Sequence, residues 1–146
     1  MVKTAAVQSS FGKKVVTGIL GGAAGGIVFG MLMAMMGMLT TIAGMAGSTS
    51  IVVGAAIHMM ISVFIGATFG VLFGANSTTA GRGLLFGIVY GMVWWVLGPL
   101  VIMPVMMGMG LQFANALSGS NLMSLMGHMI FGAVTGLVYF WVARRS

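Results

Sequence analysis

From Lys14 to Arg82 the chain carries no charged residue, and from Arg82 to Arg144 it again carries none. A membrane-crossing helix takes about 20 apolar residues, so each stretch is too long for one span and suits two spans with a turn between them. A soluble domain of 146 residues needs a charged exterior, and this chain has six charges, Lys3, Lys13, Lys14, Arg82, Arg144 and Arg145, against 60% hydrophobic residues. The expected fold is an all-α integral membrane protein, a single domain over residues 1–146 with four transmembrane helices.

The spans are expected at about Val15–Met38, Ile51–Gly74, Gly83 to beyond Trp95, and Leu122–Val142. A cleavable signal peptide has a shorter apolar core, so the first run reads as a retained helix. Leu39 to Ser50 reads as a short connection and Ala75 to Gly81 as a loop closed by Arg82. Gly98-Pro99 is expected to kink or end the third helix, with Pro104 repeating the interruption. Met106 to Asn121 is apolar but broken by Gly, Asn and Ser, and reads as an interfacial or re-entrant piece. All six charges fall on the side shared by the N-terminus, the middle loop and the C-terminus. The positive-inside rule therefore predicts both termini in the cytoplasm.

The net charge of +6 is a topology signal, because its members flank apolar spans rather than forming a phosphate-binding stripe; no nucleic-acid partner is expected. There is no Asp, Glu or Cys. That composition removes carboxylate acid–base catalysis, hard-cation cages, thiolate ligands and thiol nucleophiles, so no enzyme is expected.

The chain repeats itself. His128 lies seventy positions after His58, and the same shift brings Met59 onto Met129, Gly66 onto Gly136, Phe69 onto Tyr139, Met33 onto Met103 and Met36 onto Met106. With one position less, Lys13 falls on Arg82, Gly18 on Gly87 and Gly22 on Gly91. These matches predict two tandem helix hairpins, approximately 13–75 and 82–145, related by a pseudo-two-fold axis along the membrane normal.

Small residues recur every fourth position: Gly18, Gly22, Gly26 and Gly30 in the first span, Gly66, Gly70 and Gly74 in the second, Gly83, Gly87 and Gly91 in the third, Gly132 and Gly136 in the fourth. Lipid gives helices no hydrophobic reason to associate, so close backbone approach along such rows is the expected source of packing.

His58 and His128 are the only histidines, and each sits in one of these rows about 10 Å inside its span at 1.5 Å rise per residue. An ionisable residue at that depth is a functional candidate. The ordinary reading is an uncharged ring bonded across the bundle to Ser62, Ser124 or a carbonyl. Two chemistries stand beside it. Paired imidazoles between the second and fourth helices are the donor set of a haem b. Imidazole with thioether suits Cu(I), and Met59, Met129, Met36 and Met106 are the nearest candidates. Methionine also serves as flexible apolar filler. Met31-x-x-x-Met35 resembles the paired thioethers of copper-uptake channels over five residues.

The ending GHMIFGAVTGLVYFWVARR, residues 127–145, resembles the last helix of small prokaryotic inner-membrane proteins of the YagU type, through Gly127-His128 and the aromatic-to-arginine exit. The resemblance covers one span and implies a multispan helical membrane protein without implying an activity. The functional expectation is an accessory or assembly subunit of a larger membrane complex, respiratory or copper-dependent, with membrane-protein partners or further copies of itself. Haem or copper handling at His58 and His128, and a small-solute channel or transporter, are the alternatives.

Overall fold

The computed structural model describes residues 10–145. Four helices long and apolar enough to cross a membrane make up the body: α1 (Phe11–Met35), α3 (Ile51–Phe73), the span beginning with α4 (Ala80–Leu97), and α6 (Gly119–Ala143). There is no strand among the described residues. Each span starts on a hydroxyl cap. Ser10, Ser50, Thr79 and Ser118 accept hydrogen bonds from the backbone N–H groups of Lys13, Val53, Arg82 and Asn121, covering donors that a helix start leaves open.

Two elements go beyond the sequence reading. The expected connection after the first span contains a short helix, α2 (Leu39–Gly44), because Leu39, Ile42 and Ala43 share one face and bury it against α3. The third span does not stop at Gly98-Pro99. It continues through a π-helical turn (Gly98–Ile102) into α5 (Met103–Met106), with the Met103 N–H reaching back to the Gly98 carbonyl. A wider turn is how a helix passes a proline without breaking. Pro104 supplies no N–H, and the Leu100 carbonyl is instead bonded by the Gln112 N–H at 2.9 Å from the following segment. α1 and α5 both end in Schellman turns. In each, a glycine at positive φ, Gly37 or Gly108, lets the next residue bond back to the carbonyl of Met33 or Pro104.

The helices run up and down, and the described cationic residues Lys13, Lys14, Arg82, Arg144 and Arg145 belong to one end of the bundle. α1 packs antiparallel on α3, α4 on α6, and α1 also on α6. α3 and α4 are not in close backbone contact. Aromatic rings span that side: Phe73 stacks on Phe86 at 5.6 Å, Phe69 meets Tyr90 at 5.5 Å, and the Tyr90 hydroxyl lies 2.6 Å from the Thr68 hydroxyl.

The close contacts are made of backbone. A Cβ at Gly18, Gly22 or Gly66 would run into the facing helix of the α1–α3 pair, and one at Gly70 into the Lys14 carbonyl. Gly26 has the Ser62 side chain and Gly30 the His58 ring where a Cβ would go. In the α4–α6 pair, Gly83 faces the Gly136 carbonyl, Gly87 the Gly132 carbonyl and Gly91 the His128 carbonyl, and the reverse contacts hold for Gly132 and Gly136. Gly74 lies against the Tyr139 hydroxyl.

A second glycine face on α1 makes the α1–α6 contact. Gly21 abuts the Thr135 carbonyl and Gly25 the Phe131 carbonyl, while Gly127 of α6 leaves room for the Phe29 ring. Successive helical residues are about 100° apart, so the doublets Gly21-Gly22 and Gly25-Gly26 present one row to α6 and another to α3. In α4 the positions sixty-nine residues later are Tyr90 and Trp94, and the Tyr90 side chain fills the space toward Thr68 and Phe69 of α3 where Gly21 and Gly25 let α6 approach. The two contacts between the hairpins are therefore unequal.

Candidate functional site

The two histidines and Phe29 form one layer toward the uncharged end of the bundle. α3 carries His58 against α1, where the ring covers Gly30. His58 Nε2 lies 2.9 Å from the Gly26 carbonyl. A carbonyl only accepts, so Nε2 carries the proton and donates across the helix pair, leaving Nδ1 as the acceptor of the uncharged ring. The Ser62 hydroxyl donates to the His58 carbonyl at 2.8 Å, which turns its oxygen toward the imidazole.

His128 is held differently. Its Nδ1 lies 2.8 Å from the Ser124 carbonyl one turn earlier in α6, so here Nδ1 is the donor and Nε2 the acceptor. Nε2 faces Gly98, where the π-helical turn begins. The two rings occupy corresponding places in the sequence and carry their protons on opposite nitrogens. One bond joins two helices; the other stays within its own.

Phe29 touches both rings edge-on, with centroids 5.5 Å from His58 and 4.9 Å from His128. It reaches this position because Gly127 has no side chain to oppose it. Phe29 packs against both imidazoles, and His58 Nε2 is engaged by the Gly26 carbonyl, so an iron shared by the two rings requires both contacts to rearrange. The layer as folded is an aromatic junction that ties α1, α3 and α6 together.

Beside this layer, a groove of about 240 Å³ opens on the outside of the α1–α3 pair. His58, Met59 and Met31 line it together with Gly26, Gly30 and Ala55. Met59 is thus beside His58, and its sulfur reaches toward Gly26. Met129 is half-buried next to His128 in the chain. Met36 caps α1 and Met106 ends α5, and both are exposed. No cluster of three or more His, Cys, Asp or Glu side chains occurs among the described residues. Two buried polar atoms, Trp94 Nε1 and Thr135 Oγ1, have no hydrogen-bond partner among them.

Sequence reasoning picked out both histidines and missed their partner, Phe29. It also missed Gly21, Gly25 and Gly127. The glycine doublets were the available signal, since a single row of small residues serves one neighbour and a double row serves two. No family model, curated protein or solved structure matches this chain.

Proposed function

We propose that this protein is a non-catalytic integral membrane subunit that works by packing beside other membrane proteins. One observation carries the reading: most polar side chains in the middle of the spans are buried or bonded within the bundle, while the side chains exposed there are mainly apolar. His58 bonds the Gly26 carbonyl, His128 the Ser124 carbonyl and Ser62 the His58 carbonyl, while the Thr68 and Tyr90 hydroxyls bond each other. The span from Ala80 to Met106 is the least buried of the four, at 22% of its apolar window, and offers the broadest free side. The reading places both termini and the Arg82 loop in the cytoplasm on the strength of the one-sided charge, and takes the membrane as a prokaryotic inner one from the resemblance of the last span. Its two hairpins descend from one duplicated hairpin, later made unequal by Tyr90 and Trp94.

The test is purification in mild detergent from native membranes, with crosslinking beforehand. A stoichiometric larger membrane partner is the expected result. A monodisperse bundle without partners that conducts a solute in liposomes overturns the reading in favour of a channel.

A second reading rests on a separate observation, the shared groove of His58, Met59 and Met31. Imidazole and thioether are soft donors suited to Cu(I). Copper at one per chain, lost in both His58→Ala and Met59→Leu, is the outcome that supports it; retention in either variant removes it.

A further inference from the structure

The segment between α5 and α6 is built unlike the other connection at the same end of the bundle. In the α1–α3 connection, Leu39, Ile42 and Ala43 turn inward and are buried. In the α5–α6 connection the apolar side chains turn outward: Met109 is 61% exposed, Leu111 59%, Phe113 52% and Leu117 81%. A water-facing loop of this length is normally polar and mobile. This one has no charge, and its polar side chains bond to one another and to nearby backbone. The Gln112 N–H bonds the Leu100 carbonyl, and its side-chain amide donates to the Met109 and Gly110 carbonyls. Asn115 donates to the Gln112 side chain at 2.9 Å, and Asn121 to the Asn115 carbonyl at 2.8 Å. Trp95 Nε1 donates to the Asn121 carbonyl, tying the end of the segment to the outer part of the third span.

Backbone that leaves water must have its hydrogen bonds met from within. Side chains that enter lipid must be apolar. The segment meets the second condition in full and the first in part: Gly110, Leu111 and Leu117 keep backbone N–H groups with no acceptor among the described residues, which suits the headgroup boundary, where water and headgroups accept, rather than the hydrocarbon centre. We infer that residues 107–118 form a strap that lies in the headgroup–acyl boundary of the uncharged-side leaflet, with Leu111, Phe113 and Leu117 inserted into lipid. The occupant of this face is the bilayer. The inference needs the four spans to be in a membrane and is independent of the accessory-subunit reading.

The chain has no cysteine, so single labels can be placed without background. Spin labels at Leu111→Cys, Phe113→Cys and Leu117→Cys in the full chain, reconstituted in phosphatidylcholine–phosphatidylglycerol vesicles, report collision with oxygen against collision with a water-soluble nickel chelate. Ser48→Cys in the other connection and Val89→Cys on the outside of α4 give the water and lipid references. All five positions are exposed or half-buried, so folding is not at stake. The strap predicts oxygen-to-nickel ratios at Phe113 and Leu117 near that of Val89 and several-fold above that of Ser48. Ratios equal to Ser48 overturn it as a hydrated loop. Exclusion of both reagents overturns it too, showing a protein surface over the face.

Discussion

The histidines show how much a side chain's role depends on its neighbours. They lie seventy positions apart in similar stretches of sequence, and their environments give them opposite tautomers. Side-chain nitrogen and carbon NMR shifts of labelled protein in bilayers are expected to show an Nε2–H form that disappears in His58→Phe and an Nδ1–H form that disappears in His128→Phe. One tautomer for both rings would contradict the assignment. The glycines divide just as sharply. A Cβ at Gly132 meets backbone of α4, so Gly132→Ala should cost about 1–3 kcal/mol, the range for overpacking a tight contact. Gly81 and Gly119 face open space, so their alanine variants should be neutral or slightly stabilising. Unfolding midpoints in one mixed-micelle series separate the two classes. From sequence alone the single rows of glycine could be read, because a period of four is visible. The selection of Phe29 as the wedge between the histidines could not. Nothing distinguishes it from the other aromatics until Gly127 is brought opposite it.

Among the elements, α1 has two working faces and α4 has one. The doublets Gly21-Gly22 and Gly25-Gly26 carry both rows, so a bulky residue in the row facing α6 should separate the hairpins without opening either. Gly25→Leu is the suitable variant, since its side chain would enter Phe131 and Thr135. With the chain split in the loop after α3, the wild-type halves should co-purify and the Gly25→Leu halves should not, while each half keeps its helicity. Co-purification of the variant halves would show that the aromatic side, Phe69, Phe73, Phe86 and Tyr90, suffices to hold them. The π-helical turn yields a more local expectation. Pro104→Ala restores an N–H that competes for the Leu100 carbonyl, so the Gln112 amide should lose hydrogen-exchange protection while α6 keeps its own. The number and type of the long helices were legible because charge and hydropathy set them. Their route past Gly98-Pro99 was not, because proline signals an interruption without saying whether a helix ends there or widens.

At the level of the molecule, the ends differ in chemistry. One carries the described cations, with Arg144 over the Trp141 ring at 4.8 Å, and the other has no charge among its described residues. Impermeant maleimide added to intact cells is expected to label Ser48→Cys, and to label Asn76→Cys, exposed in the loop before Arg82, only after the membrane is opened. The reverse pattern would invert the topology. The outward apolar surface was legible from composition, whereas the inequality of the two contacts between hairpins was not. A repeat read in sequence implies equal neighbours, and only the size of Tyr90 and Trp94 in place of Gly21 and Gly25 breaks that equality.

The double-faced α1 also sets an order of assembly. It leaves the ribosome before the other spans, yet one of its glycine rows waits for α6, the last of them. Until then that row faces lipid with nothing on it but exposed backbone. α3 arrives early enough to close the first hairpin, while the glycine row of α4, Gly83, Gly87 and Gly91, waits for α6 as well. The bundle is thus finished only when α6 arrives, since it alone covers both waiting rows.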